Sequence, residues 1–251
     1  MKEARDIMGM PVSVEISDAS ASRESLEKTF DYFRYVDRVF STYKKDSEIS
    51  RINRKELQPS EYSTDMQLIF DLAEESKRLT EGYFDIRTPE GIIDPSGIVK
   101  GWAINNAAEL LRSLGHQNFY VEAGGDIQTS GKNADGKEWR IGIRNPFNRQ
   151  QIVKVVYPRG KGIATSGIAV RGSHIYDPHT ERPVEVSMAS LTVIGPNVYE
   201  ADRFATAAFA MGENGVNFIE QLEEFEGYQI DGKGTAIMTH GFEQYTYDQG
   251  D

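Results

Sequence analysis

The chain contains no cysteine, which excludes disulfides, thiolate zinc sites, a catalytic thiol and a lipid-anchored Cys. Histidine is scarce: four among 251 residues, too few and too scattered for a His-rich transition-metal cage. Long apolar runs are missing as well. None approaches the ~20 residues that a membrane-spanning helix needs, and the first residues, Met1 to Asp6, form no hydrophobic signal region. The sequence therefore reads as cytosolic, or as a mature chain whose leader has been removed. Basic charge is in deficit, with 28 Lys and Arg against 39 Asp and Glu and a formal net charge of −11. That argues against nucleic acid as a partner, because neutralising phosphates takes a basic stripe. A small anionic ligand stays open if a few Lys or a carboxylate-held divalent cation offsets its charge, and oxygen ligands for Mg2+ are the natural expectation. No Gly-x-Ser-x-Gly elbow, Walker loop or dinucleotide fingerprint occurs, and no repeat or low-complexity stretch.

What is present centres on residues 92–127, a helical pattern with a Gly-rich turn at each end. Asp94-Pro95-Ser96-Gly97-Ile98-Val99-Lys100-Gly101 opens it. Val99, Ala103, Ala107, Leu110, Leu111 and Leu114 then recur at helical spacing, and Gly115 ends the run. The helix start offers unpaired N–H groups and the positive dipole end, both favourable to anions, with Lys100 in the first turn adding a charge. The second turn is Gly124-Gly125-Asp126-Ile127.

Before this stretch, Pro11 to Ile16 alternates like a half-exposed strand after the turn at residues 8–10. An amphipathic helix follows, capped somewhere in Ser20 to Ser25 and carrying Leu26, Phe30, Phe33, Val36 and Phe40 on one face. Residues 41–53 read as a polar loop or short helix. Another helix spans Thr64 to Leu79, with Met66, Ile69, Leu72, Ala73 and Leu79 as its buried side. The second half is strand-rich: 118–122, 138–144, 152–157, 162–166, 174–177, 190–194, and runs near Tyr228, Thr235 and Phe242. Turn residues at hairpin distances suggest a largely antiparallel sheet. A helix from Tyr199 to Met211 uses Phe204, Ala207, Ala208 and Met211 as its core face. With no linker in view, residues 1–251 read as a single α+β domain of antiparallel sheet and packed helices, an order of elements that also accommodates two lobes around a cleft.

Three acidic residues stand beside Gly or a helix start: Asp94, Asp126 and Asp202. Each is a turn former or cap on local grounds. Asp202 is unusual because it lies inside an Ala-rich helical run where Asp is a poor helix former, with Thr206 one turn on along the same face. Carboxylate and hydroxyl stacked in that way could hold one hard cation beside backbone carbonyls. The other reading is an exposed Asp at a helix start. His174 ends a strand in His174-Ile175-Tyr176-Asp177-Pro178, where it could serve as a general base or be structural. Ala164-Thr165-Ser166-Gly167 could contact a ligand or simply bend a strand.

In order along the chain, these blocks resemble the ApbE family of FAD:protein FMN transferases. The resemblance rests on Met8-Gly9, Ser41-Thr42-Tyr43 with Ser47, Ile49 and Asn53, Phe84-Asp85, Asp94 to Gly101, Gly124 to Ile127, Ala164 to Gly167, His174 to Pro178, and Glu200 to Thr206. It implies that Met8, Tyr43, Tyr83, Phe84, Asp85, Asp94, Lys100 and Tyr176 contact FAD. It likewise implies that the Gly97 carbonyl, the Asp202 carboxylate, the Ala205 carbonyl and Thr206 hold Mg2+, with His174 and Asp202 catalytic. The implied partner is an acceptor protein, whose Thr or Ser hydroxyl would receive FMN as AMP leaves. The alternatives are a FAD pyrophosphatase giving FMN and AMP, and a non-catalytic flavin-binding protein. Two departures stand out. Family members carry a much longer stretch between the Phe-Asp segment and the Asp block than Ile86 to Ile93, and they usually begin with a lipoprotein leader and its Cys.

Overall fold

The computed structural model describes residues 1–168, 176–177, 179, 182–183 and 188–247, with backbone alone at 176, 177, 182 and 183. His174 lies outside the described residues.

Among the described residues one eight-stranded sheet runs in the order β1 (Lys2–Ile7), β2 (Met10–Ile16), β3 (Phe119–Ala123), β4 (Asp126–Ser130), β7 (Gly162–Gly167), β10 (Met188–Gly195), β11 (Glu226–Asp231) and β12 (Ala236–Met238). Every pairing in it is antiparallel. Two-stranded ribbons β5 (Ile141–Arg144) with β6 (Ile152–Val156), and β8 (Tyr176–Asp177) with β9 (Arg182–Pro183), stand apart from it. The expected α+β architecture is present. Its cleft lies at the edge of the helical layer against this continuous sheet, not between two separate sheets.

In β2 the alternation predicts the burial: Val12, Val14 and Ile16 are all fully inside. Helix α1 (Arg23–Phe40) is capped by Ser22, whose hydroxyl accepts the Ser25 N–H, and lays Leu26, Phe30, Phe33, Val36 and Phe40 into the core. The short helix α2 (Glu48–Asn53) follows. Helix α3 (Thr64–Leu79) matches its expected span, but Leu79 is 42% exposed. Ser76 takes the buried place, because its hydroxyl donates to the Leu72 carbonyl and accepts from Arg203 Nη1. Helix α4 (Ser96–Ser113) is buried on more than one side, with Ile98, Val99, Trp102, Ala103, Ile104, Ala107, Ala108 and Leu111 all inside, which makes it a central helix and not a surface one. Helix α5 (Val198–Ala210), capped by Asn197, packs across it, and α6 (Gly215–Glu220) follows.

Sequence patterning missed three elements. Strand β1 is mostly charged and lies at the sheet edge, where Lys, Glu and Arg guard against unwanted pairing. Strand β4 has Asp126, Ile127, Gln128 and Thr129 all buried, so it shows no alternation. Helix α6 has six residues, too few for a periodic signal. The run at Phe242 is a 3-10 turn (Phe242–Tyr245) whose Phe242 and Tyr245 plug the core. The apolar interior falls into three clusters: beneath α1 to α4, between the central strands and the β5–β6 ribbon, and between β7, β10 and α5.

Candidate active site

Helices α4 and α5 touch through two matched pairs of residues, each pair one turn apart. Gly97 backs onto Thr206, whose Cγ2 lies 3.5 Å from where a Gly97 Cβ would stand. Gly101 backs onto Asp202 far more closely: a Cβ there would lie 2.7 Å from the Asp202 Cβ and 2.9 Å from the Val198 carbonyl. The missing side chain lets the Gly101 N–H donate to Asp202 Oδ2 at 2.8 Å across 101 residues of sequence. In a regular helix that N–H belongs to the carbonyl four residues back, here Gly97. The Gly97 carbonyl must therefore share its helical donor or give it up. Ala205 is buried inside α5, so its carbonyl keeps only a second lone pair beyond the helical ladder.

The β3–β4 hairpin supplies the second wall. Gly124 and Gly125 have φ of +61° and +101° and set Asp126 at the head of β4, where it is 1% exposed. Asp126 Oδ1 accepts the Thr165 N–H at 3.0 Å. Its Oδ2 accepts no well-aligned hydrogen bond but lies 2.6 Å from Lys100 Nζ. The same ammonium is 3.4 Å from Asp202 Oδ1. Asp202 is 2% exposed, which excludes the reading as an exposed helix-start Asp. Burial drives its carboxyl above the ordinary carboxylate range; Lys100 opposes the rise, and Asp126 adds to it.

Two carboxylates against one ammonium leave the buried group one negative charge in excess, a costly state unless a proton or second cation joins it. The orphaned Asp126 oxygen and the surplus charge fit a hard, oxygen-bound cation. Among the described residues no group of three or more His, Cys, Asp or Glu could hold a metal ion, so any such site must draw on Asp202, Thr206 and backbone carbonyls.

Lys100 also lines a cleft of about 540 Å3, counting the part open to solvent, within the range of roughly 300–1,000 Å3 usual for small-molecule sites. Met8, Met10, Val36, Phe40 and Val99 give it apolar walls, and Asp37, Ser41, Thr42, Tyr43, Asp94 and Ser96 line the rest. Met8 sits at φ +57° in the β1–β2 turn, and the ring of Tyr43 is 95% exposed. Asp94 Oδ1 accepts the Ser96 N–H at 3.0 Å, shaping the start of α4. Four expected FAD contacts, Met8, Tyr43, Asp94 and Lys100, thus share one cleft.

The other candidates lie elsewhere. Phe84 is 2% exposed, its ring packed 3.5 Å from the Gly97 Cβ position, so it underpins the start of α4 instead of offering a face to a ligand. Asp85 pairs with Lys77 at 2.7 Å and caps the Arg87 N–H. Tyr83 packs edge-on against His179, ring centres 4.5 Å apart. Tyr176 is described only as backbone of β8. Sequence reasoning named Asp126 as a turn former and missed its two links. The signal available was a charged side chain heading a strand after two glycines.

The sequence model described as the ApbE family matches residues 8–91 and 87–228. The two pieces meet where the longer stretch of typical members is absent. The FAD:protein FMN transferase of Vibrio cholerae is 29% identical over 255 residues, 79% of this chain and 75% of its own length. That of Escherichia coli K12 is 26% identical over 283 residues, covering 88% and 81%. Among solved structures, the flavin transferase ApbE from Vibrio cholerae is similar at a TM-score of 0.85 and 26% identity over 98% of both chains. The ApbE protein of Thermotoga maritima gives 0.86 at 20% identity over 99% of both, a likeness of fold alone.

Proposed function

The chain belongs to the ApbE family, and from that premise we propose that it transfers FMN from FAD to a Thr or Ser hydroxyl of an acceptor protein, with Mg2+, releasing AMP. The observation that carries this reading is the meeting of Asp202, Asp126, Lys100 and the Gly101 N–H beside the cleft that Met8, Tyr43 and Asp94 line. An acidic protein can take a diphosphate only where positive charge is gathered locally.

In the reaction, the acceptor hydroxyl oxygen bonds to the phosphorus of the FMN half, and the bond from that phosphorus to the bridging oxygen breaks. AMP leaves with the bridging oxygen, and the hydroxyl proton passes to a base, for which we propose His174. Such a substitution depends on placement and charge neutralisation more than on covalent chemistry. Bound Mg2+, held by Asp202, Thr206 and the Gly97 and Ala205 carbonyls, would supply Lewis-acid neutralisation of the phosphate oxygens. Lys100 places a fixed ammonium at the cleft end for the diphosphate. Tyr43 offers an exposed ring for a planar heterocycle, and the apolar walls exclude water from it.

The test is incubation with FAD, Mg2+ and a candidate acceptor. Transfer gives a fluorescent acceptor band on a denaturing gel and one AMP per label. AMP without label would mean hydrolysis, and retained FAD with no AMP would mean a binding protein; either result rejects the proposal. Asp202→Asn should lower turnover by ~100-fold or more, since the site then keeps mostly neutral donors, and full activity in that variant would refute the metal assignment.

A further inference from the structure

We infer that Asp126 is a positioning residue that holds Lys100 away from Asp202, keeping the Asp202 carboxylate open to a divalent cation that Asp126 itself does not bind. The inference rests on the metal reading above and adds a residue to it. Three contacts carry it. Lys100 Nζ lies 2.6 Å from Asp126 Oδ2 but 3.4 Å from Asp202 Oδ1, so the ammonium is drawn to the strand side of the pair. Asp126 cannot follow Lys100 toward α5, because its other oxygen is tied to the Thr165 N–H on β7 at 3.0 Å. The Lys100 stem runs past Gly124, with its Cδ 3.9 Å from the Gly124 Cβ position, where Met10 Sδ already stands at 2.8 Å. A side chain at residue 124 would collide with Met10 and crowd the path of Lys100, and φ of +61° disfavours one in any case.

Lys100 and a divalent cation are competitors for the same Asp202 oxygen. With Asp126 in place, the lysine has a better partner a short distance away. Without that charge, the ammonium has one buried carboxylate left within reach, and pairing with it is strongly favoured over remaining alone. Asp126 would then govern metal affinity through Lys100.

The experiment measures Mn2+ binding by electron paramagnetic resonance in the presence of FAD, with Mn2+ as the divalent probe, for wild type, Asp126→Asn and the double variant Asp126→Asn/Lys100→Met. Asn keeps an acceptor for the Thr165 N–H. The expected result is a ~10–100-fold weaker Mn2+ affinity in Asp126→Asn, with recovery to within about threefold of wild type in the double variant, because the competitor has gone. Unchanged affinity in the single variant overturns the inference. So does failure of the double variant to recover, which would make Asp126 a ligand or a structural prop. Should Asp126→Asn not fold, the double variant, which strands neither charge, decides alone: near-wild-type affinity upholds the inference and a tenfold loss overturns it. If wild type binds no Mn2+, the metal reading fails and this inference falls with it, an outcome distinct from the others.

Discussion

Asp202 and Tyr43 mark the two extremes of exposure among the candidate residues. Tyr43, at 95% exposed, stabilises the fold little by its ring, so Tyr43→Ala should leave the melting temperature unchanged. If it stacks on the substrate, KM for FAD should rise about tenfold, the ~1 kcal/mol typical of an aromatic contact; steady-state kinetics check this. Asp18 shows the opposite use of a carboxylate. It accepts N–H donors from Gln117 and Asn118 and the Asn118 side-chain amide, at 3.0, 2.9 and 2.7 Å. Burial alone would raise its carboxyl, but the Asn118 and Gln117 donors and nearby His116 outweigh it and hold it below the ordinary range. A folded value below the unfolded one means stability that is present at neutral pH and lost as pH falls through the acidic range. Asp18→Ala should cost ~1–2 kcal/mol at neutral pH and progressively less in acid, read from urea midpoints at several pH values. The residue types were legible here in the sequence. Their burial was not: Asp202 in an Ala-rich run fitted a cap as well as a ligand, because local propensity carries no information about what packs on top.

At the scale of elements, the α4–α5 crossing gives a paired test. Gly101→Ala puts a methyl 2.7 Å from the Asp202 Cβ, so the helices must part. Despite a gain of ~1 kcal/mol in helix propensity, a net loss of ~1–3 kcal/mol is expected, with activity falling alongside. Gly97→Ala meets nothing nearer than 3.5 Å and should be neutral or slightly stabilising. Chemical denaturation of the two variants distinguishes a crossing fixed at Gly101 from one that merely favours small residues. Helices α1, α3, α4 and α5 were readable because each has many turns of one-sided or all-round apolar spacing. The charged edge of β1 and the doubly buried β4 were not, since neither alternates, and Leu79 was misplaced because the Ser76–Arg203 contact outweighs apolar periodicity at the end of α3.

For the whole molecule, ligand binding should appear as stability. A ligand at a hundred times its Kd adds ~2.7 kcal/mol to the folded state. If the metal and the dinucleotide share the Asp202 site, FAD and Mg2+ together should raise the melting temperature by more than the sum of their separate shifts, and Asp202→Asn should reduce the pair to additivity. Differential scanning fluorimetry with each ligand alone and with both reads this directly.

The sequence by itself determined the α+β class, the long helices, the Gly-rich turns and the ordered blocks that resemble one family, since all of these are written in local spacing and residue type. Only the tertiary structure decided which side chains meet. Lys100, Asp126, Thr165 and Asp202 come from four elements, and their contacts depend on the antiparallel order of the sheet and on the close approach that Gly101 permits. Pairing across a hundred residues is fixed by packing, to which no local pattern gives access.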